Sequence, residues 1–277
     1  MSGKLYICPT PIGNLEDMTY RTVRILNEVD LIAAEDTRHS IKLLNHFEIS
    51  KPLTSYHDHN KDTKGDYLIK KLLDGENIAL VSDAGMPGIS DPGEEIIKQA
   101  IENDIEIEVL PGATASITAL VASGLETTKF AFEGFLDRDK KNRRNQLEEI
   151  KEETRTIIFY ESPHRLKDTL KDMLKVLGNR KISINREITK KYQEIIRQDL
   201  ETAIEIFNER EVKGEFVLIV EGFKGEKTIT NSYDHLTERE FVIHLLEEGM
   251  TKKDAIKKVC KDRKLTKDIV YKQVLDL

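Results

Sequence analysis

The sequence of 277 residues contains few cysteines and no long apolar run. Its two cysteines, Cys8 and Cys260, lie far apart and outside any Cys-x-x-Cys motif, so neither a disulfide framework nor a zinc knuckle is predicted. No apolar run reaches the roughly 18 residues that a membrane-spanning helix needs. The first residues lead into a predicted strand without the apolar stretch of a signal peptide. We therefore expect a protein of the reducing cytoplasm.

Two common nucleotide-binding motifs are also absent. Neither Gly-x-Gly-x-x-Gly nor Gly-x-x-x-x-Gly-Lys-Ser/Thr occurs, which disfavours a Rossmann dinucleotide site and a P-loop. The formal net charge of −7 means that any nucleic-acid surface must be local. Two basic clusters are candidates, residues 140–144 and residues 251–277, the second with nine Lys and Arg against four Asp. Either cluster can also be a solvated helix face.

The most informative stretch is a glycine-rich loop between a predicted strand at 77–81 and a helix with an apolar face at 96–101. We expect Asp91 to be the N-cap of this helix and Pro92 its first residue. Three glycines between strand and helix allow the backbone to approach a ligand closely. Asp83 and Asp91 would repel phosphate, so the loop favours a ligand with hydroxyls or positive charge. An ordinary turn between strand and helix is the alternative.

Other polar motifs follow predicted strands in the same way. Strands alternate with helices over residues 4–110, which predicts a parallel sheet. The motifs at 9–17, 35–38 and 57–60 each come directly after a strand. Because the carboxyl ends of parallel strands share one edge of the sheet, and ligands bind there, we expect these motifs to form one site.

Four stretches together resemble the tetrapyrrole methylase superfamily. They read Pro-Thr-Pro-Ile-Gly-Asn-Leu-Glu-Asp at 9–17, Ala-Glu-Asp-Thr-Arg at 34–38, Val-Ser-Asp-Ala-Gly-Met-Pro-Gly-Ile-Ser-Asp-Pro-Gly at 81–93 and Leu-Pro-Gly-Ala-Thr-Ala-Ser at 110–116. Within the superfamily, the chain is similar to the ribosomal RNA small subunit methyltransferase I family over about residues 4–222. The resemblance implies two α/β domains that form a cleft for S-adenosylmethionine (SAM).

The resemblance also implies an activity and a set of cofactor residues. The activity is methylation of a ribose 2′-hydroxyl on a cytidine in the decoding region of 16S rRNA, expected at position 1402, by a homodimer. Gly85 would let the backbone reach the cofactor. The residues that the resemblance places around the cofactor are Pro11, Asp83, Met86, Thr114, Ala115 and Tyr160. Met86 replaces the usual Thr, and Ala113-Thr114 departs from a Pro-Gly-Pro-Ser loop.

A ribose hydroxyl is a poor nucleophile at neutral pH, so a general base would contribute roughly 10²–10⁴-fold to the rate. The candidate bases are Glu161, Glu187, His57, His59 and Lys190. We expect no metal at the two histidines, because alternate residues on an extended strand point to opposite faces. The candidate substrate-binding residues, any of which can instead form surface ion pairs, are Arg38, His59, His164, Arg165, Arg186 and Lys191.

The pattern of strands and helices divides the chain into three predicted domains. Residues 1–124 form an N-terminal α/β domain that carries the parallel sheet and the SAM loops. Residues 125–225 form a second α/β domain, in which the expected hairpin pairing predicts a mixed sheet. Residues 233–277 form three short helices that resemble a helix-turn-helix domain and begin with a capping box at Thr237. This helical domain would bind RNA or pack in a dimer.

Three other functions stay open. They are methylation of a corrin precursor, methylation of a modified histidine in a translation factor, and RNA binding without catalysis. The loop at 9–17 differs from the Gly-x-Gly-Pro-Gly-Asp loop of corrin enzymes, and the helical C-terminus favours RNA. The sequence leaves open whether the substrate is naked 16S rRNA or an assembled small ribosomal subunit.

Overall fold

The computed structural model describes residues 2–58, 60–225, 236–263 and 265–275. The chain divides into two compact units, Met1–Lys224 and Gly225–Leu277. None of the described helices is long and apolar enough to cross a membrane.

The first half of Met1–Lys224 is a five-stranded sheet with helices on both faces. Its strands and helices are β1 (Lys4–Ile7), α1 (Tyr20–Glu28), β2 (Leu31–Ala34), α2 (Thr37–His46), β3 (Leu53–Ser55), α3 (Lys61–Leu73), β4 (Ile78–Val81), α4 (Glu94–Glu102), β5 (Glu106–Val109) and α5 (Ala115–Ser123). The strand order is β3-β2-β4-β1-β5, and every pair is parallel. The predicted parallel sheet is therefore confirmed, and the polar motifs share its carboxyl edge.

Burial on both faces explains the apolar character of the central strands. All four residues of β2 and of β4 are buried. Leu5, Leu80 and Ile96 belong to the core on one face, and Leu26 and Val81 to the core on the other. Because both faces of the sheet are covered, the loops at the strand ends are its accessible part.

The start of α4 differs from the prediction. Asp91 is not its N-cap, because α4 begins at Glu94 after Gly93, which has a φ of 157°. The Asp91 side chain is instead hydrogen-bonded to Ser82 at the end of β4. The prediction failed because Asp91-Pro92 matches a helix start locally, whereas the tertiary partner of Asp91 lies across the loop.

A second five-stranded sheet follows. Its elements are β6 (Phe130–Phe135), α6 (Lys140–Glu149), β7 (Thr156–Glu161), α7 (Leu166–Leu177), β8 (Lys181–Arg186), β9 (Glu194–Asp199), α8 (Leu200–Asn208) and β10 (Phe216–Val220). The strand order is β6-β7-β10-β8-β9, with β6–β7 parallel and the other pairs antiparallel. The predicted mixed sheet is confirmed. Helix α7 begins three residues after the predicted Pro163.

The two faces of the second sheet have different partners. One face packs against α6, α7 and α8 in a core that includes Phe159, Leu170 and Leu218. The other face packs against α5, with Leu120 of α5 beside Ile158 and Ile219. Helix α5 thus belongs to the first sheet by sequence and packs on the second sheet, which joins the two layers into one compact unit.

Two of the four basic residues in the cluster at 140–144, both arginines, pair with an aspartate. Arg143 is buried, and its guanidinium donates to Asp172 of α7 at 2.7 Å. Arg144 also donates to Asp172, at 2.7 Å. The sequence did not predict these ion pairs because it does not show that Asp172 lies within reach of α6.

The unit Gly225–Leu277 contains three helices among its described residues: α9 (Glu238–Glu247), α10 (Lys252–Asp262) and α11 (Lys267–Gln273). The capping box predicted at Thr237 is present, with Glu240 as its partner. Phe241, Ile256 and Val270, one from each helix, lie in one shared core. The predicted helical cluster is confirmed here, whereas residues 226–235, which include most of the predicted linker, lie outside the described residues.

Candidate active site

The loops at the carboxyl edge of the first sheet are bonded to one another. Thr10 and Gly85 exchange two backbone hydrogen bonds, at 2.9 and 3.1 Å. The Asp36 amide donates to Asp83 Oδ1 at 3.2 Å. Gly85 has a φ of 85°, and an added Cβ would lie 3.3 Å from Ile12. Side chains are therefore disfavoured at Gly85, and the loop after β4 is held against the loop after β1.

A cavity of about 720 Å³ lies between these loops and the second sheet. This large cavity has a size usual for small-molecule sites. Its walls come from the loop after β4, the start of α5 and the face of the second sheet that carries Tyr160. Seven predicted site residues line it: Gly85, Met86, Thr114, Ala115, Tyr160, Glu161 and Lys190.

One row of side chains across the second sheet contributes a wall of the large cavity. Tyr160 on β7 pairs with Val217 on β10, and Val217 pairs with Asn185 on β8. Directly paired residues present their side chains on the same face. The rings of Phe132 and Phe135 on β6 pack edge-on against Tyr160, with centroids 5.1 and 5.5 Å away. The result is an aromatic surface suited to a flat ring.

Asn185 adds a polar group to this apolar wall. The residue is buried, and its Nδ2 donates to Val217 O and to Ser183 at 3.3–3.4 Å. Its Oδ1 is buried and has no hydrogen-bond partner among the described residues. Buried acceptors are normally satisfied, so this oxygen is suited to a donor from a bound molecule.

A second cavity of about 510 Å³ lies beside the first. The predicted Pro11, Asp83 and Lys190 line this small cavity, together with His39 and Lys42 of α2. The two cavities share four lining residues, Ile12, Ala84, Lys190 and Glu215. Two molecules bound in the two cavities would therefore meet at this shared wall.

Three carboxyl groups lie near the ends of β2 and β4. Burial, together with the charges of Glu35 and Asp83 and against a hydrogen bond from Ser82, raises the pKa of Asp91 to about 7. Burial also raises the pKa of Glu35. Asp91 lines the large cavity and Asp83 the small one. A cationic ligand group would relieve the repulsion among these carboxylates.

Lys190 lies in a network with two glutamates. Its Nζ donates to Glu187 Oε1 at 3.0 Å and to Glu215 Oε2 at 2.7 Å. Burial alone would raise the pKa of Glu187, but hydrogen bonds from the Glu215 amide and from Lys190 hold it below its ordinary value. Glu187 is therefore an anion bound to a cation, although it lines neither cavity.

The Glu161 carboxylate bonds to residues that follow its own strand. The Ser162 amide donates to Glu161 Oε1 at 2.7 Å, the Thr169 hydroxyl donates to Oε2, and Arg165 Nε lies 3.3 Å from Oε1. A carboxylate with three such neighbours fixes the start of α7. Its proposed role as a base stays a prediction.

The predicted substrate residues are dispersed. Arg38 is 88% exposed and pairs with Asp36, which holds the pKa of Asp36 below its usual range. Arg186 Nε donates to Lys213 O at 2.6 Å, and Lys191 lies over the Tyr192 ring. His59 lies outside the described residues. The predicted site residues that line neither cavity are Glu187, His57, Arg38, His164, Arg165, Arg186 and Lys191.

Several lining residues were not found from the sequence. Asn185, Phe132 and Phe135 lie on antiparallel or edge strands, where no local motif distinguishes them. Glu215 follows a Lys-Gly pair that reads as an ordinary turn. Asp91, by contrast, carried a signal, since it was singled out beside the glycine-rich loop.

The comparisons with known proteins identify the family of this chain. A family model described as Tetrapyrrole (Corrin/Porphyrin) Methylases matches residues 4–204. A ribosomal RNA small subunit methyltransferase I from Halalkalibacterium halodurans is 55% identical over 97% of this chain and 93% of its own. The chain belongs to the tetrapyrrole methylases and, within them, to the ribosomal RNA small subunit methyltransferase I family.

Solved structures of other tetrapyrrole methylases share the fold at low identity. A uroporphyrin-III-C-methyltransferase from Thermus thermophilus has a TM-score of 0.55 at 18% identity, covering 79% of this chain and 94% of that one. A diphthine synthase has a TM-score of 0.61 at 12% identity, covering 79% and 90%. The expected fold class, two α/β layers with C-terminal helices, is confirmed.

Membership of this family makes SAM the cofactor of the chain. The large cavity fits such a molecule. Phe132, Phe135 and Tyr160 offer a surface for an adenine ring, Asn185 Oδ1 offers an acceptor, and the Asp91 carboxyl offers a partner for a cation. The described residues therefore match the aromatic, polar and cationic parts of SAM.

Proposed function

We propose that this chain uses SAM to methylate the ribose 2′-hydroxyl of a cytidine in the decoding region of 16S rRNA. The observation that carries the proposal is the pair of adjoining cavities with a shared wall, in a chain whose relatives are named as rRNA small subunit methyltransferases. Action on ribosomal RNA would place the protein in the cytoplasm.

The large cavity would hold SAM. Gly85, Met86, Thr114 and Ala115 would contact it from the first sheet, and Tyr160 would contact it from the second. Pro11 and Asp83 line the small cavity next to the shared Ala84 and would contact the cofactor where it meets the acceptor. SAM supplies a methyl group on a good leaving group, so the main task of the protein is to position the acceptor.

The small cavity would receive the acceptor nucleoside. Its volume of about 510 Å³ accommodates a nucleoside turned out of its stack, as enzymes that modify nucleotides require. Lys42 and His39 on α2 line the cavity and would contact the RNA backbone beside it. The exposed Arg38 lies on the same helix and extends this polar surface.

The two catalytic alternatives share the fold but lack comparable sequence support. The corrin-type and diphthine-type structures are below 20% identical to this chain, which establishes the fold alone. The relative with 55% identity is named for ribosomal RNA. An rRNA substrate therefore has stronger sequence support than either alternative substrate.

A labelling experiment tests the proposal. Purified protein is incubated with methyl-labelled SAM and either small subunits or naked 16S rRNA from cells that lack the modification, and the methylated site is mapped. We expect one 2′-O-methylated cytidine in the decoding region. Labelling only of a base, or no labelling of either RNA while SAM still binds, would contradict the proposal.

The C-terminal helices would add RNA affinity. Lys253, Lys257 and Lys261 are exposed on α10 at a spacing of four residues, so they lie along one side of the helix. Replacing all three by Gln should weaken rRNA binding. It should also lower the number of counter-ions released on binding, measured from the salt dependence of the affinity, by about two. SAM affinity should be unchanged. If the triple variant binds rRNA as tightly as wild type at each of two salt concentrations, the helices would instead have a packing role.

We also propose a homodimer. Val109, Val121 and Phe130 are large apolar residues at 57%, 72% and 39% exposure, on or beside the edge strands of the two sheets. These side chains would be available for burial if the two copies pair through these edges. Light scattering during gel filtration should give twice the chain mass of 31.8 kDa. A monomer at micromolar concentration would contradict this.

A further inference from the structure

Lys190 and Glu215 are charged residues at the junction between the large cavity and the small cavity. Both line the large cavity and the small cavity. The other two shared lining residues, Ile12 and Ala84, have no side-chain polar group. Any hydrogen bond from a shared side chain to a group at the junction must therefore come from Lys190 or Glu215.

The Lys190 side chain is held in place by packing. An added Cβ on Gly13 would lie only 2.3 Å from Lys190 Cγ, so the stem of the lysine fills the space that any side chain at 13 would need. Gly13 has a φ of 153°, which further disfavours other residues there. The loop after β1 thus positions a lysine that belongs to the second sheet.

The loop that carries Lys190 is strained. Glu187 and Thr189 have φ values of 49° and 66°, which non-glycine residues rarely adopt. Glu187 Oε1 accepts from both Lys190 Nζ and the Glu215 amide, at 3.0 and 2.9 Å. An added Cβ on Gly214 would lie 2.6 Å from Glu187 Cγ. Strain that is compensated by such contacts is common at functional sites.

The charge of this network indicates its ligand. Burial alone would lower the pKa of Lys190, but its hydrogen bonds to Glu215 and Glu187 raise it, so the amine stays protonated and is unsuited to act as a base. An ammonium has three N–H donors, of which two point to the glutamates. One cation with two anions carries a net negative charge, which disfavours phosphate and favours a neutral hydroxyl.

We propose that Lys190 and Glu215 together clamp the acceptor hydroxyl at the junction of the two cavities, with Glu215 as the general base. Lys190 donates its third N–H to the hydroxyl oxygen, and the hydroxyl donates to the Glu215 carboxylate. Glu215 is 81% exposed on its side chain, so it can reach an incoming substrate. This inference rests on the proposed 2′-O-methylation.

The proton and electron balance is simple. As the oxygen forms its bond to the methyl carbon, the carbon–sulfur bond breaks and its electron pair stays on sulfur. The hydroxyl proton passes to the Glu215 carboxylate, which later releases it to water. Lys190 keeps its three protons throughout and stabilises the oxygen as the O–H bond weakens.

Variants of the full-length protein test the clamp by methylation of small subunits and by calorimetry with S-adenosylhomocysteine. Glu215→Gln should slow 2′-O-methylation by roughly 10²–10⁴-fold. Lys190→Met should slow it at least about tenfold, and the double variant should be no slower than Glu215→Gln, as expected for residues that act as a unit. Both single variants should bind S-adenosylhomocysteine within about threefold of wild type. Glu211→Gln, an exposed glutamate paired with Lys213, is the matched control and should keep the wild-type rate.

A conservative variant separates a base from a structural residue. Glu215→Asp keeps a carboxylate and should retain more of the wild-type rate than Glu215→Gln, whose amide cannot take up the hydroxyl proton. A Glu215→Gln rate within threefold of wild type, or equal rates in Glu215→Asp and Glu215→Gln, would overturn the clamp and leave the methyltransferase function intact. Wild-type methylation of a base in place of a ribose would overturn the proposed function and the clamp together.

Discussion

The two sheets of Met1–Lys224 contribute to the candidate site in different ways. The first sheet is parallel throughout, so its loops meet at one edge and supply backbone groups, glycines and carboxylates. The second sheet is mostly antiparallel and supplies a row of side chains across its face, from Phe135 and Tyr160 to Asn185. The first layer thus acts through strand ends and the second through a strand surface.

This difference has a structural consequence. Loops at strand ends can vary while the sheet behind them stays buried on both faces. A surface that lines a cavity needs its opposite face fixed, and the second sheet achieves this with the core beneath α6, α7 and α8. Damage to that core should therefore alter the site indirectly, whereas damage to the loops should alter it directly.

The largest effect should come from Asp172, which holds two arginines behind the second sheet. Asp172→Ala leaves the buried Arg143 without its carboxylate and should lower the free energy of unfolding by about 3–5 kcal/mol. Denaturant unfolding measures this change. Asp168→Ala, on the exposed side of the same helix, should cost less than about 1 kcal/mol. Equal losses in both variants would show that the Arg143 pair does not support the second sheet.

Glu161 should have a smaller effect, on stability more than on rate. Glu161→Gln replaces an oxygen that accepts from Ser162 or Thr169 with an amide nitrogen, which should cost about 1–3 kcal/mol of unfolding free energy. The methylation rate of the folded protein should stay within about tenfold of wild type. Loss of rate with unchanged stability would instead make Glu161 the base.

Asp91 should give the smallest effect and one that depends on pH. Its pKa of about 7 in the folded chain lies above the unfolded value of about 3.9, so the folded state binds the proton more tightly. The contribution of Asp91 to the stability of the wild type should therefore fall as pH rises from about 4 to about 7. Between pH 4 and pH 7, the free energy of unfolding of Asp91→Asn should therefore fall by about 1 kcal/mol less than that of wild type, since solvent screening reduces the effect of a partly exposed group. Parallel stability curves at pH 4 to 8 for the two proteins would contradict the assignment.

Much of the first sheet and its edge follows from the sequence. The strands there are short apolar runs, and the motifs at 9–17 and 82–93 come directly after them, so a parallel topology brings them together. The start of α4 was predicted two residues early because Asp91 bonds to Ser82 across the loop. Local capping rules do not include such a tertiary partner.

The contribution of the second sheet could not be derived in the same way. Asn185 lines the cavity because β8 pairs with β10 in one register, and no motif in the sequence fixes that register. Arg143 looked like a surface cation because its partner, Asp172, lies on the next helix. Lys190 and Glu215 meet through the strained loop at 187–190. Each of these placements depends on contacts between residues far apart in the sequence, which hydrophobic periodicity does not encode.

The central claim is that one cofactor site needs both sheets, and titration calorimetry with S-adenosylhomocysteine tests it most directly. Wild type, Gly85→Val from the first sheet, Tyr160→Ala from the second, and the exposed control Tyr20→Ala would be compared. We predict that Gly85→Val and Tyr160→Ala each weaken binding at least about tenfold, or about 1.4 kcal/mol, while Tyr20→Ala binds as wild type. Wild-type affinity in either site variant, with the protein folded, would contradict a site built from both sheets.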